Sequence, residues 1–176
     1  MSQILYLWVE GQTDERFLRS ILIPRIRGRY TSVEVIHWAQ RPNDYVRKFL
    51  RSMKAMAAEY LFFVDLDSSP CVTERKARIR QRFPDLLERE ICVVVKEIEG
   101  WYLAGMDPTF ARRLLRLDPA MCVAITKEEF YAPLRSSRSR LSRSELALEA
   151  LEHYSLADAI QRCASLAYIV DQHFTR

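Results

Sequence analysis

Three groups of acidic residues each follow an apolar run. Glu10 closes the run Ile4–Val9, Asp65 and Asp67 follow Tyr60–Val64, and Glu97 and Glu99 follow Ile91–Val95 with Lys96 between. Carboxylates held close together repel unless they take up protons or share a cation. Clustered hard oxygen donors favour Mg²⁺ or Mn²⁺. Two such ions about 4 Å apart clamp the attacking and leaving oxygens of a phosphodiester. Ser68 and Ser69, just after the aspartates, are placed to hydrogen-bond a phosphate or a metal-bound water, and Lys96 to pair with phosphate or carboxylate.

Each of these residues also has a plainer role. Glu10 can be an ordinary strand-end charge. Asp65 and Asp67 can cap the next turn through their side chains. Glu99 can decorate a helix N-terminus, and Lys96 can be a structural ion-pair partner. Glu97 and Glu99 lie two apart on a strand-to-helix turn, so one of them points into a site; Glu97, nearer the strand end, is the expected one. Trp101 and the pair Phe62-Phe63 read as core. His37, His153 and His173 have no metal-ligand spacing and read as surface or packing residues, with a phosphate contact open to His153. Cys71 has no His-Asn pattern to make it a nucleophile.

The elements that must position these acids follow from the hydropathy pattern. Ile4–Val9, Tyr60–Val64 and Ile91–Val95 are short, unbroken apolar runs and read as buried parallel strands. Val33–Trp38 alternates and reads as a more exposed strand. Between them lie helical stretches: one capped by Thr13 and ended near Pro24, one from Pro42 to about Ala57, and a basic one over Thr73–Phe83. Then come helices at Ile98–Ala104, Pro108–Leu115, Ser144–His153 and Leu156–Phe174. Thr126–Arg143, rich in Ser and Arg and without apolar periodicity, reads as a long loop. Alternating strands and helices predict an α/β, Rossmann-like three-layer fold, with four mainly parallel strands and a helical C-terminal extension. Ligands of such sheets bind beyond the carboxyl ends of the strands. A strand order of 2-1-3-4 would bring the three acid-bearing strands side by side.

Composition narrows the classes. The 176 residues suit one domain with one core, here about 1–105 plus an extension over about 106–176. No apolar run approaches the ~20 residues of a membrane span, so no membrane association is expected. No basic segment precedes the first apolar run, so no signal peptide is read and the cytoplasm is expected. Neither GxxxxGK followed by Ser or Thr nor GxGxxG occurs among four glycines. Four scattered cysteines give neither a zinc ribbon nor a disulfide framework. Arg dominates the basic residues, and its forked guanidinium grips phosphate. The stretch from Arg112 to Arg143 carries eight basic against three acidic residues. Within it Arg135, Arg138, Arg140 and Arg143 are the candidate nucleic-acid contacts, although a solvated Arg-rich surface explains the same composition.

VEGQTDERFL at Val9–Leu18, FFVDLDSS at Phe62–Ser69 and EIEGWYLA at Glu97–Ala104, in that order and at strand ends, resemble the toprim domain. This is the metal-binding catalytic domain of type IA and II topoisomerases, primases, ribosomal-RNA maturation nucleases and overcoming-lysogenization-defect nucleases. The resemblance is nearest to a small stand-alone branch, domain-of-unknown-function family 4276. It implies Glu10 as metal ligand or general acid/base, Asp65 and Asp67 as the metal-holding pair, and Glu97 as a further ligand with Glu99 supporting. It implies a nuclease using Mg²⁺ or Mn²⁺, with two ions, on DNA or RNA. The branch usually has Ala where this chain has Gly100, a change that reads as mild. Other large domains needed for strand passage are not seen, so hydrolysis is the expected reaction.

Two other readings remain open. The first is a non-catalytic interaction module of a two-gene system with a separately encoded ATPase, in phage defence or mobile-element control; family resemblance, not composition, suggests it. The second is a haloacid-dehalogenase-type phosphatase, because FFVDLDSS resembles its hhhhDxDx signature. That family usually puts the motif on the first strand and needs a later Lys and a downstream acidic pair after a strand, and it leaves Glu10 without a role. The apolar helix at Leu156–Phe174 offers a face for a second copy, a homodimer.

Overall fold

The computed structural model describes residues 4–135 and 141–175. The chain divides into two compact units, Met1–Val94 and Val95–Arg176.

The first unit is built on a sheet of four parallel strands in the order β2-β1-β3-β4, the order that puts the acid-bearing strands side by side. The strands are β1 (Ile4–Val9), β2 (Ser32–His37), β3 (Glu59–Asp65) and β4 (Ile91–Val94). β1, β3 and β4 are almost wholly buried, whereas the alternating β2 is half-buried at the edge. Unbroken apolar runs go to strands covered on both faces and alternation to the strand with a solvated side.

Helix α1 (Gln12–Phe17) follows β1 and continues through a π turn at Leu18–Leu22 and a 3₁₀ turn at Ile23–Ile26. Pro24 sits in the first positions of that last turn, where no amide donor is needed. The expected cap at Thr13 is corrected. Gly11 is the N-cap and Thr13 lies inside the helix, because the carboxylate of Asp14 accepts from the Gly11 amide at 3.0 Å.

Helices α2 (Asn43–Ala55) and α3 (Val72–Arg82) link β2 to β3 and β3 to β4. Both pack on one face of the sheet: Val46, Leu50 and Met53 of α2 and Ile79 of α3 share a core with Trp8, Phe62, Val64 and Val93. Right-handed crossovers require this. Both links step across the sheet in one direction and α1 steps in the other, so α1 belongs to the opposite face and the layering is helix–sheet–helix. Within this core Phe62 lies 5.1 Å from the Trp38 ring and 5.7 Å from Phe83. Such pairs contribute about 0.5–1.5 kcal/mol each beyond their burial.

The second unit is helical: α4 (Ile98–Gly105), α5 (Pro108–Leu115), a 3₁₀ turn at Pro119–Val123, α6 (Lys127–Phe130), α7 (Arg143–Glu152), α8 (Leu156–Arg162) and α9 (Ala164–Ile169). α4 packs against the Pro119–Val123 turn and α8, and all eight of its residues are buried. Two expectations change here. The region read as one loop contains α6, held by a capping box between Thr126 and Glu129, then a 3₁₀ turn at Ala132–Arg135. The helix read across Leu156–Phe174 breaks at Cys163, whose backbone is extended (φ −122°, ψ 100°); a π turn at Val170–Phe174 ends it. Among the described residues no helix is long and apolar enough to cross a membrane.

Candidate metal and phosphate site

The carboxyl edge of the first unit's sheet brings Glu10, Asp65 and Asp67 together. β1 and β3 are direct neighbours, with Trp8 opposite Phe62, so Glu10 leaves the end of one strand as Asp65 leaves the end of the other. The Asp65 amide donates to Glu10 Oε1 at 3.2 Å. After Asp65 the chain is pinned by the Leu66 amide donating to Val94 O at 2.8 Å, then turns. Asp67 occupies the left-handed region (φ +49°) in that turn, a conformation that Asp tolerates better than most residues. Backbone held this way clusters at functional sites.

Two further residues belong to this site and were not singled out from sequence. Asp14 is buried, 7% exposed, and close enough to Glu10 for its charge to be felt there. Arg75, whose side chain is 13% exposed, sends Nη2 to Asp67 Oδ2 at 2.6 Å and lies 3.7 Å from Glu10 Oε1. Signals for both exist in the sequence. Asp14 is one helical turn after Glu10. Arg75 shares the helical spacing of Ile79 and Phe83, which are buried, in a segment that otherwise reads as solvated and basic.

The electrostatics follow. Burial raises the pKa of Glu10 above the ordinary carboxylate value, and the charges of Asp14 and Asp67 push the same way. The Asp65 amide and Arg75 oppose this without cancelling it. Glu10 is therefore held above the ordinary carboxylate range. Ser69 is buried, its amide bonded to Leu66 O at 3.1 Å, and its hydroxyl has no hydrogen-bond partner among the described residues. Ser68 is exposed.

The remaining predicted residues lie in the second unit. Glu97 is the N-cap of α4, and its Oε2 accepts from the Lys127 amide. Glu99, in the first turn of α4, is 2% exposed. Of this pair Glu99 is thus the buried carboxylate, and Glu97 is engaged at the start of α6. Lys96 has a left-handed backbone (φ +65°) and donates Nζ to Ala124 O at 2.9 Å, not to a carboxylate. Gly100 is not a mild replacement for Ala: a Cβ there would stand 2.3 Å from the carbonyl oxygen of Cys122. Trp101 is fully buried and donates Nε1 to Ser165 Oγ at 3.0 Å, in line with a core role. His153 packs on Phe110 at 4.2 Å. Arg135 is exposed, and Arg143 lies over the Tyr131 ring at 5.2 Å. Arg138 and Arg140 fall outside the described residues.

The donor set around Glu10 is all carboxylate oxygen, the kind a hard divalent cation takes. Among the described residues no group of three or more His, Cys, Asp and Glu side chains is arranged to hold a metal ion as placed; at Glu10 and Asp67 the guanidinium of Arg75 is the positive group. No family model matches the chain, and no curated protein or solved structure matches it.

Proposed function

We propose that this chain is a Mg²⁺- or Mn²⁺-dependent, toprim-like nuclease that hydrolyses phosphodiesters of DNA or RNA. The observation that carries the reading is the meeting of Glu10 and Asp65 across adjacent parallel strands, 3.2 Å from amide to carboxylate, with Asp67 beside them. Asp65 and Asp67 would hold the cation, with Glu10 beside them and Asp14 behind Glu10. The bound cation would supply Lewis-acid polarisation of the phosphate and an activated water.

The chain's own residues do the rest. Glu10, with its carboxyl held above the ordinary range and Oε1 taken by the Asp65 amide, is suited to hold a proton at Oε2 and give it to a leaving oxygen. Arg75 offers a guanidinium beside that carboxyl, able to move from Asp67 to a phosphate oxygen in bidentate fashion. The Ser69 hydroxyl is a further donor without a partner among the described residues.

The test is calorimetry with Mn²⁺ and Mg²⁺ on the wild type and on Asp65→Asn, Asp67→Asn and Glu10→Gln, followed by cleavage assays on single- and double-stranded DNA and RNA. Metal binding and cleavage lost together in the aspartate variants is the expected result. Wild-type protein that binds no metal at millimolar concentration, with or without an oligonucleotide, would replace this reading by a non-catalytic contact module, for instance one serving a separately encoded ATPase.

A further inference from the structure

The same sheet edge carries a second constellation that the acid site does not use. β2 ends at His37, which is paired with Val9, the residue before Glu10; neighbouring strands are about 4.8 Å apart. A cleft of about 300 Å³ opens there, lined by Glu15, His37, Gln40, Arg41, Tyr45 and Phe49 among others. Tyr45 is 42% exposed. Its ring rests on Phe49 at 6.1 Å, and Phe49 is itself held edge-on by Trp8 at 5.1 Å and Tyr6 at 5.8 Å. The partly exposed ring therefore rests on a chain of aromatic contacts rooted in the sheet. The Arg41 guanidinium lies 5.3 Å from the centre of the Tyr45 ring and is in no ion pair among the described residues. The acid in the cleft is already committed: Glu15 Oε2 meets His37 Nε2 at 2.6 Å and Oε1 meets Arg19 Nε at 2.7 Å. Asp44, beside the cleft, faces Arg47 at 3.6 Å.

We propose that this cleft binds one nucleotide of a single-stranded nucleic acid, with its base on the Tyr45 ring and a neighbouring phosphate on Arg41. The inference rests on the nuclease reading and deepens it, because it says where the strand lies next to the acid site. The chemistry selects this ligand class. A metal ion finds one carboxylate, already engaged. A cationic peptide finds the same neutralised acid and an unpaired arginine. A base finds a half-exposed aromatic ring resting on Phe49, and a phosphate finds an arginine that is in no ion pair among the described residues. Stacking on such a face tolerates any base, and the arginine that now covers the ring is released to the backbone.

Anisotropy titrations of a labelled twelve-nucleotide oligothymidylate in EDTA test it, with wild type, Tyr45→Ala, Tyr45→Phe and Arg41→Ala. An abasic strand of the same length is the second probe. The Tyr45→Ala variant should bind the thymidylate roughly tenfold more weakly, Tyr45→Phe within about twofold of wild type, and the abasic strand should not distinguish them. In Arg41→Ala the slope of log affinity on log salt should fall by about 0.7. Equal weakening on both strands, unchanged binding in Tyr45→Ala, or no binding by wild type overturns the proposal. The two readings fail separately. Cleaving protein whose Tyr45→Ala form binds normally overturns only the base site. Protein that binds through Tyr45 but never cleaves with any metal overturns only the nuclease.

Discussion

Arg75 and Asp67 meet at 2.6 Å in a partly buried pair, Nη2 to Oδ2, and the same nitrogen stands 3.7 Å from Glu10 Oε1. The guanidinium thus offsets part of the rise in the Glu10 pKa that burial and, after it, the charges of Asp14 and Asp67 produce. On the nuclease reading it stands against the carboxylates that a cation would take.

Replacing Arg75 by Met is expected to destabilise the protein by about 1 kcal/mol without divalent metal, the order of a partly exposed ion pair. Millimolar Mg²⁺ should recover much of that loss, and Mg²⁺ affinity should rise because no guanidinium competes for the carboxylates. Denaturant midpoints with and without Mg²⁺ give the answer; an equal deficit in both buffers would count against a cation entering here.

Asp67 sits at φ +49°, so the choice of replacement matters. Asn is tolerated in this region but gives up the charge that Arg75 meets, so it should melt about 2–4 °C below wild type while losing metal binding. Val is β-branched and disfavoured there, and it should cost on the order of 1–2 kcal/mol. Thermal melts of the two variants, run beside the metal titration, separate lost chemistry from lost fold.

Stability at the edge of β2 should depend on acid pH through Glu15. Burial tends to raise its pKa, but the hydrogen bonds from Arg19 and His37 outweigh this and hold it below 4.5. A carboxylate with a depressed folded value stabilises the fold above its unfolded pKa and loses that contribution as pH falls through the folded value. The Glu15→Gln variant should therefore be less stable than wild type by about 0.5–1 kcal/mol at pH 7, and the gap should close below about pH 4. Urea midpoints at several pH values measure it; a gap independent of pH would assign the effect to shape, not charge.

Gly100→Ala should destabilise the second unit by about 1–3 kcal/mol, since its Cβ would lie 2.3 Å from a backbone oxygen and one side must move. The roughly 1 kcal/mol that Ala gains over Gly in a helix does not cover this. Gly11→Ala is the control: its Cβ would meet nothing closer than 3.9 Å. Circular-dichroism melts of both variants suffice.

What could be read without coordinates is what depends on local pattern. Period-2 and unbroken apolar runs identify the strands because side chains alternate across a sheet, and the carboxylates Glu10, Asp65 and Asp67 are legible because they stand where those runs stop. The parallel order β2-β1-β3-β4 was legible only as one candidate, because short connections and right-handed crossovers limit the arrangements without choosing among them. The partners of these carboxylates were not legible. Arg75 comes from a helix 65 positions after Glu10, in a sequence whose basic residues nearly all face water, and only packing decides which one turns inward. Asp14 looks like first-turn decoration until the Gly11 amide and the Glu10 carboxyl converge on it. Gly100 looks exchangeable because a missing Cβ says nothing about Cys122, a distant residue whose carbonyl fills that space. Spacing along the chain specifies which faces are apolar, whereas the distances between charges, and the clashes a methyl group would make, exist only once those faces have packed.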